Sequence, residues 1–533
     1  MRLSLLFLTL VVLGLTAPVQ TQHLATLSFK GQGLEVYSLV PYDDGVVLLI
    51  GNATSFYVYF VNSTTQRILY YHSVNATGNS TLIYYFYSAL TAFYAFAFNG
   101  SLYVVKYFSL GGTADVMVFD GLKLAKNITL NVLTLEPVGG PLYNVSAMEI
   151  VCGPFIYTGI VTNDTRFPFY PTELVFNNTN ITVPGSLLAA LQLHNGTFIM
   201  SDYFWPFLNN PEKRMLYLMF FKGDGLVWNR TYLVYTPNGY ASPLYLQGLE
   251  SFVSAHFFTV IGNTILIINV TSVRGNHANF SVLEVNINDG EIIGKVGFTS
   301  ATEGLGVFNI GGKPYVLAVS GDAFTVSELT DNGLVKVAEV PIFIRNETVT
   351  SQLGGKNVTS TVRTPLTGAG YVYGGYLVFL NPSENRTNVT VVNPINVTSY
   401  VVEGKARFYS GSLLVNSTNN ISLVLLNAFG IPVRVVDLGS LPPSYHPSVQ
   451  VFAQGTKYYV VEETQVNNAT TVNVTVVDAG DLTGSPLSST ASPLPGIGQN
   501  VLSPHGIPRA YSAVVLALAA VVAIATTVVL RRP

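Results

Sequence analysis

Between residues 24 and 477, apolar positions fall in short runs rich in Val, Ile, Leu, Tyr, Phe and Thr. Gly, Asn and Asp separate these runs, as in GVVLLIG from Gly45 and SFYVYFVN from Ser55. Runs of about four to eight such residues bounded by turn residues are typical of β-strands. No convincing amphipathic helix of about ten residues or more interrupts them. The best helical candidates, 84–98 and 186–193, are weak, so the pattern predicts an all-β fold.

The strands are grouped by a repeat. A small-residue turn precedes an apolar strand, as at Asn99-Gly100 before SLYVVKYF and at Gly311 before the strand KPYVLAVS. A second hairpin then follows, such as SVLEVNINDGEIIGKV from Ser281. Two hairpins make four strands, and a spacing of roughly forty to sixty residues is near that of a β-propeller blade. We therefore predict a β-propeller of about seven to nine four-stranded blades.

The two ends of this region complement each other. The last unit, near 472–478, lacks an outer strand, whereas residues 24–30 form a strand without a partner of their own. We expect this N-terminal strand to complete the last blade, because an open row of blades would expose two apolar faces. The alternative is a string of β-sandwich domains of about a hundred residues each. That arrangement needs regularly spaced polar linkers, and none is visible before Asp481.

Two apolar segments flank the strand-rich region. Met1-Arg2 is followed by LSLLFLTLVVLGLTA, which has the form of a secretory signal peptide, with an uncleaved signal anchor as the alternative. Residues 511–530 carry no charge and would span about 30 Å as a helix, the thickness of a bilayer core. Arg531 and Arg532 follow, and basic residues tend to remain in the cytoplasm. The prediction is a single-pass cell-membrane protein with an extracellular N-terminal portion and a cytoplasmic C-terminus.

These boundaries divide the chain into five parts. The intervening segment, DLTGSPLSSTASPLPGIGQNVLSPHGIPR, lacks apolar periodicity and has the composition of a semi-extended tether. The predicted parts are a signal peptide at 1–21, a propeller-like ectodomain at 22–480, a Ser/Pro/Gly-rich stalk at 481–509, a transmembrane helix at 510–530 and a cytoplasmic tail at 531–533.

Composition narrows the class of partner. Charged residues make up only 10% of the chain, the net charge is -3 and no basic run occurs, which argues against nucleic acid as a partner. There is one cysteine, Cys152, so no internal disulfide can form and packing must hold the fold. Cys152 lies in an apolar run, where we expect a buried, inert thiol.

Asn-X-Ser/Thr triplets are unusually dense and predict N-glycosylation, which would hydrate a surface poor in charge. An Asn- and Thr-rich β-protein also creates such triplets incidentally, because Asn suits turns and Thr suits strands. The predicted glycosylation sites are Asn52, Asn62, Asn75, Asn79, Asn99, Asn127, Asn144, Asn195, Asn229, Asn269, Asn279, Asn346, Asn357, Asn388, Asn396, Asn416, Asn468 and Asn473.

Motifs for chemistry are missing from the sequence. It contains no zinc-binding helix motif, nucleophile elbow, phosphate-binding loop or CxxC pair, so we predict no catalytic, metal-binding or cofactor-binding residues and no cofactor. NINDGE, from Asn286, departs from a calcium loop and is predicted to be a tight hairpin turn.

Two aromatic segments contain prolines, which do not suit central strands, so both are predicted to be loops. Aromatic faces stack on sugar rings and are common at interfaces, although such residues also fill the packing between blades. The possible contact surface consists of Phe167, Phe169, Tyr170, Tyr203, Trp205 and Phe207.

The second hairpins, with an apolar strand, an Asp/Asn-Gly turn and a Lys- or Val-bearing strand, resemble the outer strands of kelch- and PQQ-like β-propellers. The full kelch signature and the Trp-Asp dipeptide are missing, and the intervals are uneven. Together with the signal, sequons, stalk and anchor, the chain resembles archaeal-type cell-surface glycoproteins. This resemblance implies a binding or structural role at the cell envelope, with envelope glycans or surface-layer proteins as partners.

Two other functions stay open. A membrane-tethered hydrolase, either a glycosidase or an acid peptidase, would need paired carboxylates, about 5 to 10 Å apart for a glycosidase. An accessory subunit of a membrane complex would need polar packing residues in the span, and 510–530 offers few.

Overall fold

The computed structural model describes residues 20–479, with gaps at 31–33, 52–54, 74–90, 99, 109–112, 132–155, 160–171, 177–178, 184–185, 194–195, 206–211, 223–224, 237–246, 255, 275–276, 301–303, 321, 354–355, 410, 419, 440–447, 455 and 467–468. Residues 1–19 of the predicted signal peptide therefore lie outside the described residues, as do the predicted stalk, transmembrane segment and cytoplasmic tail, and Cys152. Among the residues described, no helix is both long enough and apolar enough to cross a membrane.

The described chain is almost entirely β-strand, as predicted, and contains eight four-stranded sheets, one three-stranded sheet and one two-stranded sheet. Strands of the first half are β2 (Glu35–Tyr42), β3 (Gly45–Gly51), β4 (Ser55–Val61), β5 (Gln66–Ser73), β6 (Thr91–Phe98), β7 (Ser101–Phe108), β8 (Thr113–Asp120), β9 (Lys123–Asn131), β10 (Ile156–Gly159), β11 (Thr172–Phe176), β12 (Thr179–Val183), β13 (Ser186–Leu193), β14 (Gly196–Trp205), β15 (Glu212–Lys222) and β16 (Gly225–Thr236). Strands of the second half are β17 (Phe258–Ile261), β18 (Thr264–Arg274), β19 (His277–Asn286), β20 (Ile292–Ser300), β21 (Gly304–Ile310), β22 (Lys313–Ser320), β23 (Ala323–Thr330), β24 (Gly333–Pro341), β25 (Ile344–Leu353), β26 (Lys356–Pro365), β27 (Gly368–Val372), β28 (Tyr376–Pro382), β29 (Arg386–Val392), β30 (Val397–Glu403), β31 (Lys405–Tyr409), β32 (Ser412–Asn416), β33 (Ile421–Leu426) and β34 (Pro432–Gly439).

Seven of the four-stranded sheets are built from consecutive strands, each hydrogen-bonded to the next: β2–β5, β6–β9, β13–β16, β17–β20, β21–β24, β27–β30 and β31–β34. Strands β10–β12 form the three-stranded sheet, and β25 and β26 form a separate hairpin. Consecutive pairing needs only short turns, so each sheet can form from one local stretch of chain. The recurring four-strand unit predicted from the spacing of turns is confirmed.

The eighth four-stranded sheet combines the two ends of the described chain, and we call it the closing sheet. Its strands are β35 (Ser448–Gln454), β36 (Lys457–Val466), β37 (Ala469–Asp478) and β1 (Gln20–Lys30), in the spatial order β1-β37-β36-β35. The pairing of β1 and β37 is antiparallel and runs from Gln20 opposite Asp478 to Lys30 opposite Ala469. The predicted completion of the last four-strand unit by the N-terminal strand is therefore observed.

Successive sheets stack face to face. In β18, Ile265 and Ile267 pack against sheet β13–β16, whereas the alternate residues Leu266 and Ile268 pack against sheet β21–β24. Side chains alternate between the two faces of a strand, so covering both faces requires a continuous apolar run. This is why the strongest apolar runs in the sequence lack the polar alternation of half-exposed strands.

The sheet β31–β34 is enclosed in the same way. Leu414 and Leu423 pack against the closing sheet, and Leu413 and Val415 pack against β27–β30. In a two-sheet sandwich each sheet buries one face only. Sheets buried on both faces do not fit the alternative of tandem β-sandwich domains.

Burial falls from the second strand to the fourth in sheets β27–β30 and β31–β34. The second strands β28 and β32 are almost wholly buried, whereas the fourth strands β30 and β34 expose alternate residues. The fourth strand is also an edge strand of its sheet among the described residues. Contact with solvent is therefore concentrated on fourth strands and turns, and these are the places where surface chemistry can occur.

One helix, α1 (Gln247–Ser254), lies among the described residues and was not predicted. It packs on β21, where Gly306 allows the approach, because a Cβ there would collide with the carbonyl oxygen of Val253. The two helical candidates were wrong: 186–193 is strand β13, and the described end of 84–98 is strand β6. Pairing with β14 and β7 places these segments in sheets, although their Leu and Ala residues favour helix.

The described residues divide into two compact units. One draws on the described residues of 20–35, 61–67 and 369–479, and includes the closing sheet with β28–β34. The other draws on those of 36–60 and 68–368, and includes β6–β26 and α1. Each unit has its own stack of apolar interfaces between sheets.

Candidate functional site

The predicted glycosylation residues fall into distinct structural groups. The exposed group comprises Asn127, Asn229, Asn279, Asn346, Asn388, Asn396 and Asn416. Outside the described residues lie Asn52, Asn75, Asn79, Asn99, Asn144, Asn195 and Asn468, and Asn357 is placed on β26 by its backbone alone.

Asn62 is the buried member of the set, with 6% of its surface exposed. Its side-chain oxygen accepts the backbone N–H groups of Thr64, at 3.0 Å, and of Thr65. The carboxamide therefore closes the turn between β4 and β5. A glycan on Asn62 would have to displace a side chain that organises its own turn.

Asn269 is half-buried, and its side chain is hydrogen-bonded to a neighbouring sheet. Its Oδ1 accepts the backbone N–H of Tyr235 on β16 at 2.9 Å. β16 is the edge strand of its sheet, so this N–H is an edge donor that would otherwise face outward. The carboxamide of Asn269 thus accepts one of the backbone N–H groups along the edge of sheet β13–β16.

Asn473 and Asn279 bridge three strands in matching ways. Asn473, on β37, accepts a hydrogen bond from the Thr26 hydroxyl of β1 at 2.9 Å and donates to Glu462 of β36 at 3.5 Å. Asn279, on β19, accepts from the Thr299 hydroxyl of β20 at 2.7 Å.

Asn279 also donates to the Ser272 hydroxyl of β18 at 2.9 Å. In both sheets the third strand therefore carries an Asn that links the second and fourth strands. Both amides are occupied by the sheet itself.

A repeated turn was missed by the sequence analysis. Asn62, Asn286, Asn393 and Asn427 each follow a third strand, and each Oδ1 accepts a backbone N–H two residues later. Such turns stabilise a change of direction by imitating a backbone hydrogen bond. The available signal was a Val-Asn or Leu-Asn pair at the end of every one of these strands.

NINDGE lies between β19 and β20 and forms the predicted tight turn. The backbone N–H of Glu291 donates to Asp289 at 2.9 Å, and Gly290 has a φ of 72°, which favours glycine. Arg230 of β16 forms an ion pair with Glu291 at 2.7 Å, and the Tyr232 hydroxyl donates to the Gly290 carbonyl. Side chains of the edge strand β16 therefore bind this turn to the preceding sheet.

The predicted contact surface is only partly described. Tyr203 and Trp205 lie in β14, opposite Met215 and Lys213 of β15, and not in a loop as expected. Phe167, Phe169, Tyr170 and Phe207 lie outside the described residues. The proline that suggested a loop, Pro206, follows the end of the strand.

Two buried tyrosines approach each other beside Gly411. A Cβ at Gly411 would lie 3.6 Å from the Tyr458 hydroxyl and 3.8 Å from the Tyr376 hydroxyl. Burial raises the pKa of Tyr458 to about 12 and raises the pKa of Tyr376 well above its ordinary value, and the Tyr376 hydroxyl has no hydrogen-bond partner among the described residues. Both phenols are therefore uncharged at neutral pH and poorly suited to proton transfer there.

His256 lies just after the end of α1. Its ring stacks on Phe308, with centroids 4.5 Å apart, and its Nδ1 lies 2.7 Å from the Phe252 carbonyl oxygen. Burial lowers the pKa of His256 to about 4. The ring is therefore neutral at neutral pH, with Nδ1 donating to the carbonyl, and acts as a packing residue beneath the helix.

No group of three or more His, Cys, Asp or Glu side chains within the described part of the chain could hold a metal ion. Glu462, considered as a weak cation ligand, instead faces the Asn473 amide. The best-defined surface feature is therefore the set of exposed sequons together with the fourth strands.

No protein-family model matches the chain, and neither does any curated protein. Among solved structures, it is similar to the dihydro-heme d1 dehydrogenase NirN in complex with DHE, with TM-score 0.30 and 12% identity over 69% of this chain and 74% of that one. It is similar to apo AztD from Citrobacter koseri, with TM-score 0.29 and 11% identity over 86% and 96%. A protein of unknown function from Desulfotomaculum acetoxidans gives TM-score 0.26 and 9% identity over 58% and 91%. Scores this low support no conclusion about this chain.

Proposed function

We propose that the chain is an exported, N-glycosylated, single-pass membrane protein whose β-propeller-like outer part serves as a binding or structural module of the cell envelope. The sheets support the propeller arrangement by their size, their face-to-face stacking and the exposure of their fourth strands. In this proposal the sheets form a ring and β1 closes it.

The pairing of β1 with β37 is the observation that carries the proposal. Gln20 lies opposite Asp478, so the predicted end of the signal peptide and the start of the stalk meet at one end of the same strand pair. β37 is hydrogen-bonded on one side to β36 and on the other to β1. A tether leaving from an interior strand would pull on two hydrogen-bonded neighbours, which suits a domain held at a surface.

The same pairing bears on signal cleavage. β1 begins at Gln20, and its ladder begins with the same residue. Cleavage between Ala17 and Gln20 would leave the whole strand, whereas cleavage after Thr21 would remove its first pairs. The proposal therefore favours a mature chain that begins at or before Gln20.

The contact surface in this proposal remains the aromatic set around Phe167–Tyr170 and Tyr203–Phe207, with envelope glycans or surface-layer proteins as partners. Aromatic rings offer apolar faces at little entropic cost, which supports recognition of sugars. Specific ligands follow from binding measurements and not from the fold.

The topology is tested by adding protease to intact cells that express the full chain. We expect removal of the large outer part and a small membrane-bound remnant that contains 510–533. Lysed cells provide the control, since the same digestion must proceed there. Resistance of the outer part until lysis would contradict the proposal.

A further inference from the structure

Four sheets share a bulge at the beginning of the fourth strand. In sheet β6–β9, Leu124 pairs with Phe119 and Lys126 pairs with Val118, so Ala125 is the extra residue. The same shift occurs in β13–β16, β17–β20 and β31–β34, always between the last residues of the third strand. This common bulge gives a structural alignment of fourth strands that the sequence alone does not show.

In three sheets an exposed apolar residue of the fourth strand lies directly before this bulge. Leu124 is 42% exposed, Leu226 is 51% exposed and Ile292 is 48% exposed. Each is the paired residue that immediately precedes the extra residue of the bulge. An edge strand that presents apolar side chains beside unpaired backbone groups favours association with another chain.

Three residues further on, the aligned strands carry Asn127, Asn229 and Lys295. These residues pair with Met117, Met219 and Leu283, respectively.

The bulge adds one residue, so each lies on the same face as the exposed apolar residue before it. All three are exposed. A lysine at such a position is a known means of protecting an edge strand.

Asn127 and Asn229 each open an Asn-X-Thr triplet, with Thr129 and Thr231. Neither carboxamide makes a hydrogen bond to another described residue, unlike those of Asn62, Asn269, Asn279 and Asn473 described above. The amide nitrogen of both is therefore available for modification without loss of a structural contact.

We propose that N-glycans on Asn127 and Asn229 shield the edges of β9 and β16, and that Lys295 has the same role on β20. This inference rests on the proposed export, because glycan transfer requires it. It assigns the modification to two sites and gives them a function, namely to prevent edge-to-edge association.

The test uses the full chain produced in a host that attaches N-glycans, followed by extraction in detergent. Mass spectrometry of its peptides measures occupancy at each sequon, and size-exclusion chromatography with light scattering measures the monomer. We expect glycans at Asn127 and Asn229. We expect the double variant Asn127→Gln/Asn229→Gln to lose the monomer peak in favour of larger species.

Two further variants separate the glycan from the asparagine. Thr129→Ala/Thr231→Ala removes both sequons while keeping the asparagines, and should associate in the same way. Asn127→Lys/Asn229→Lys also lacks both glycans but should remain monomeric, because it reproduces the arrangement at Lys295. The control Asn388→Gln/Asn416→Gln loses two exposed sequons that lie on strands paired on both sides, and should stay monomeric.

The outcomes distinguish the two proposals. Absence of glycans at every sequon would contradict the proposed export and this inference together. Glycans at other sequons but not at Asn127 and Asn229 would overturn only this inference. Occupied sites whose removal leaves the protein monomeric, or lysine variants that associate as strongly as the glutamine variants, would overturn the shielding function.

Discussion

The closing sheet and the sheet β17–β20 are built alike from very different stretches of chain. In both, an Asn on the third strand links a hydroxyl on the fourth strand to a side chain on the second. The hydroxyl and the Asn are 447 residues apart in the closing sheet and 20 residues apart in β17–β20. The same local chemistry therefore serves a contact formed across almost the whole chain.

The difference lies in when such a contact can form. Loop-closure entropy grows with the logarithm of loop length, so joining Thr26 to Asn473 in an unfolded chain costs about 3 kcal/mol more than joining Thr299 to Asn279. β1 is therefore expected to dock last, onto sheets already stacked. In the folded protein its hydrogen bonds should be equivalent to those of a local strand.

The largest effect is expected from charge on the buried face of β1. Leu27 is 4% exposed, and Leu27→Asp should destabilise the protein by about 4 kcal/mol or more, because it buries an unpaired carboxylate. Ser28→Asp places the same charge on the exposed face and should change stability by about 0.5 kcal/mol or less. Thermal unfolding followed by circular dichroism provides the measurement. Equal effects of the two variants would show that β1 does not hold the closing sheet.

Lowering the pH should weaken the region around β17–β20, where His256 lies, more than the closing sheet. His256, near β17–β20, has its pKa lowered from 6.5 to about 4, so only the unfolded state takes up its proton between these values. The stability that His256 contributes is present above pH 6.5 and is lost as the pH falls toward 4. The loss is at most about 3 kcal/mol, because part of the residue still reaches solvent.

His256→Phe keeps an aromatic ring against Phe308 and removes the titration. Denaturant unfolding of both proteins across this pH range isolates the histidine, since all other groups are shared. We expect the wild-type protein to lose stability relative to the His256→Phe variant as the pH falls from 6.5 to 4. A gap that stays constant from pH 6.5 to 4 would show that His256 is not held neutral.

The smallest effect tests the equivalence of the two Asn bridges. Thr26→Val and Thr299→Val each remove one hydroxyl donor, and each should cost about 1 kcal/mol. Double-mutant cycles with Asn473→Ala and Asn279→Ala measure the coupling in each sheet. Couplings that agree within about 0.5 kcal/mol support the comparison. A much larger coupling in the closing sheet would indicate that the long-range contact is special.

Strand and turn positions were predictable because they depend on neighbouring residues. The turn at Asp289-Gly290 and the spare N-terminal strand were identified from local pattern alone. Helix α1 was not, because its eight residues pack on β21 through a space left at Gly306, about fifty residues further along the chain. Tyr203 and Trp205 were expected in a loop, but pairing with β15 places them in a strand.

The sequons show where local information ends. Asn62, Asn127 and Asn473 all begin an Asn-X-Ser/Thr triplet, yet Asn62 is buried in its turn, Asn473 joins β1 to β36, and Asn127 is exposed on an edge. The triplet is a property of three adjacent residues. The surroundings of its carboxamide are a property of strands that arrive from elsewhere.

The all-β class, the four-strand unit and the strand that completes the last sheet could be predicted before the fold was known, because they follow from periodicity and turn residues close together in the chain. The covered faces of the sheets, the hydrogen-bonded asparagines and the position of His256 against Phe308 beneath α1 could be seen only in the folded protein. Those features depend on the stacking of sheets and on bulges that shift which side chains face solvent, and both arise from contacts between residues far apart in sequence.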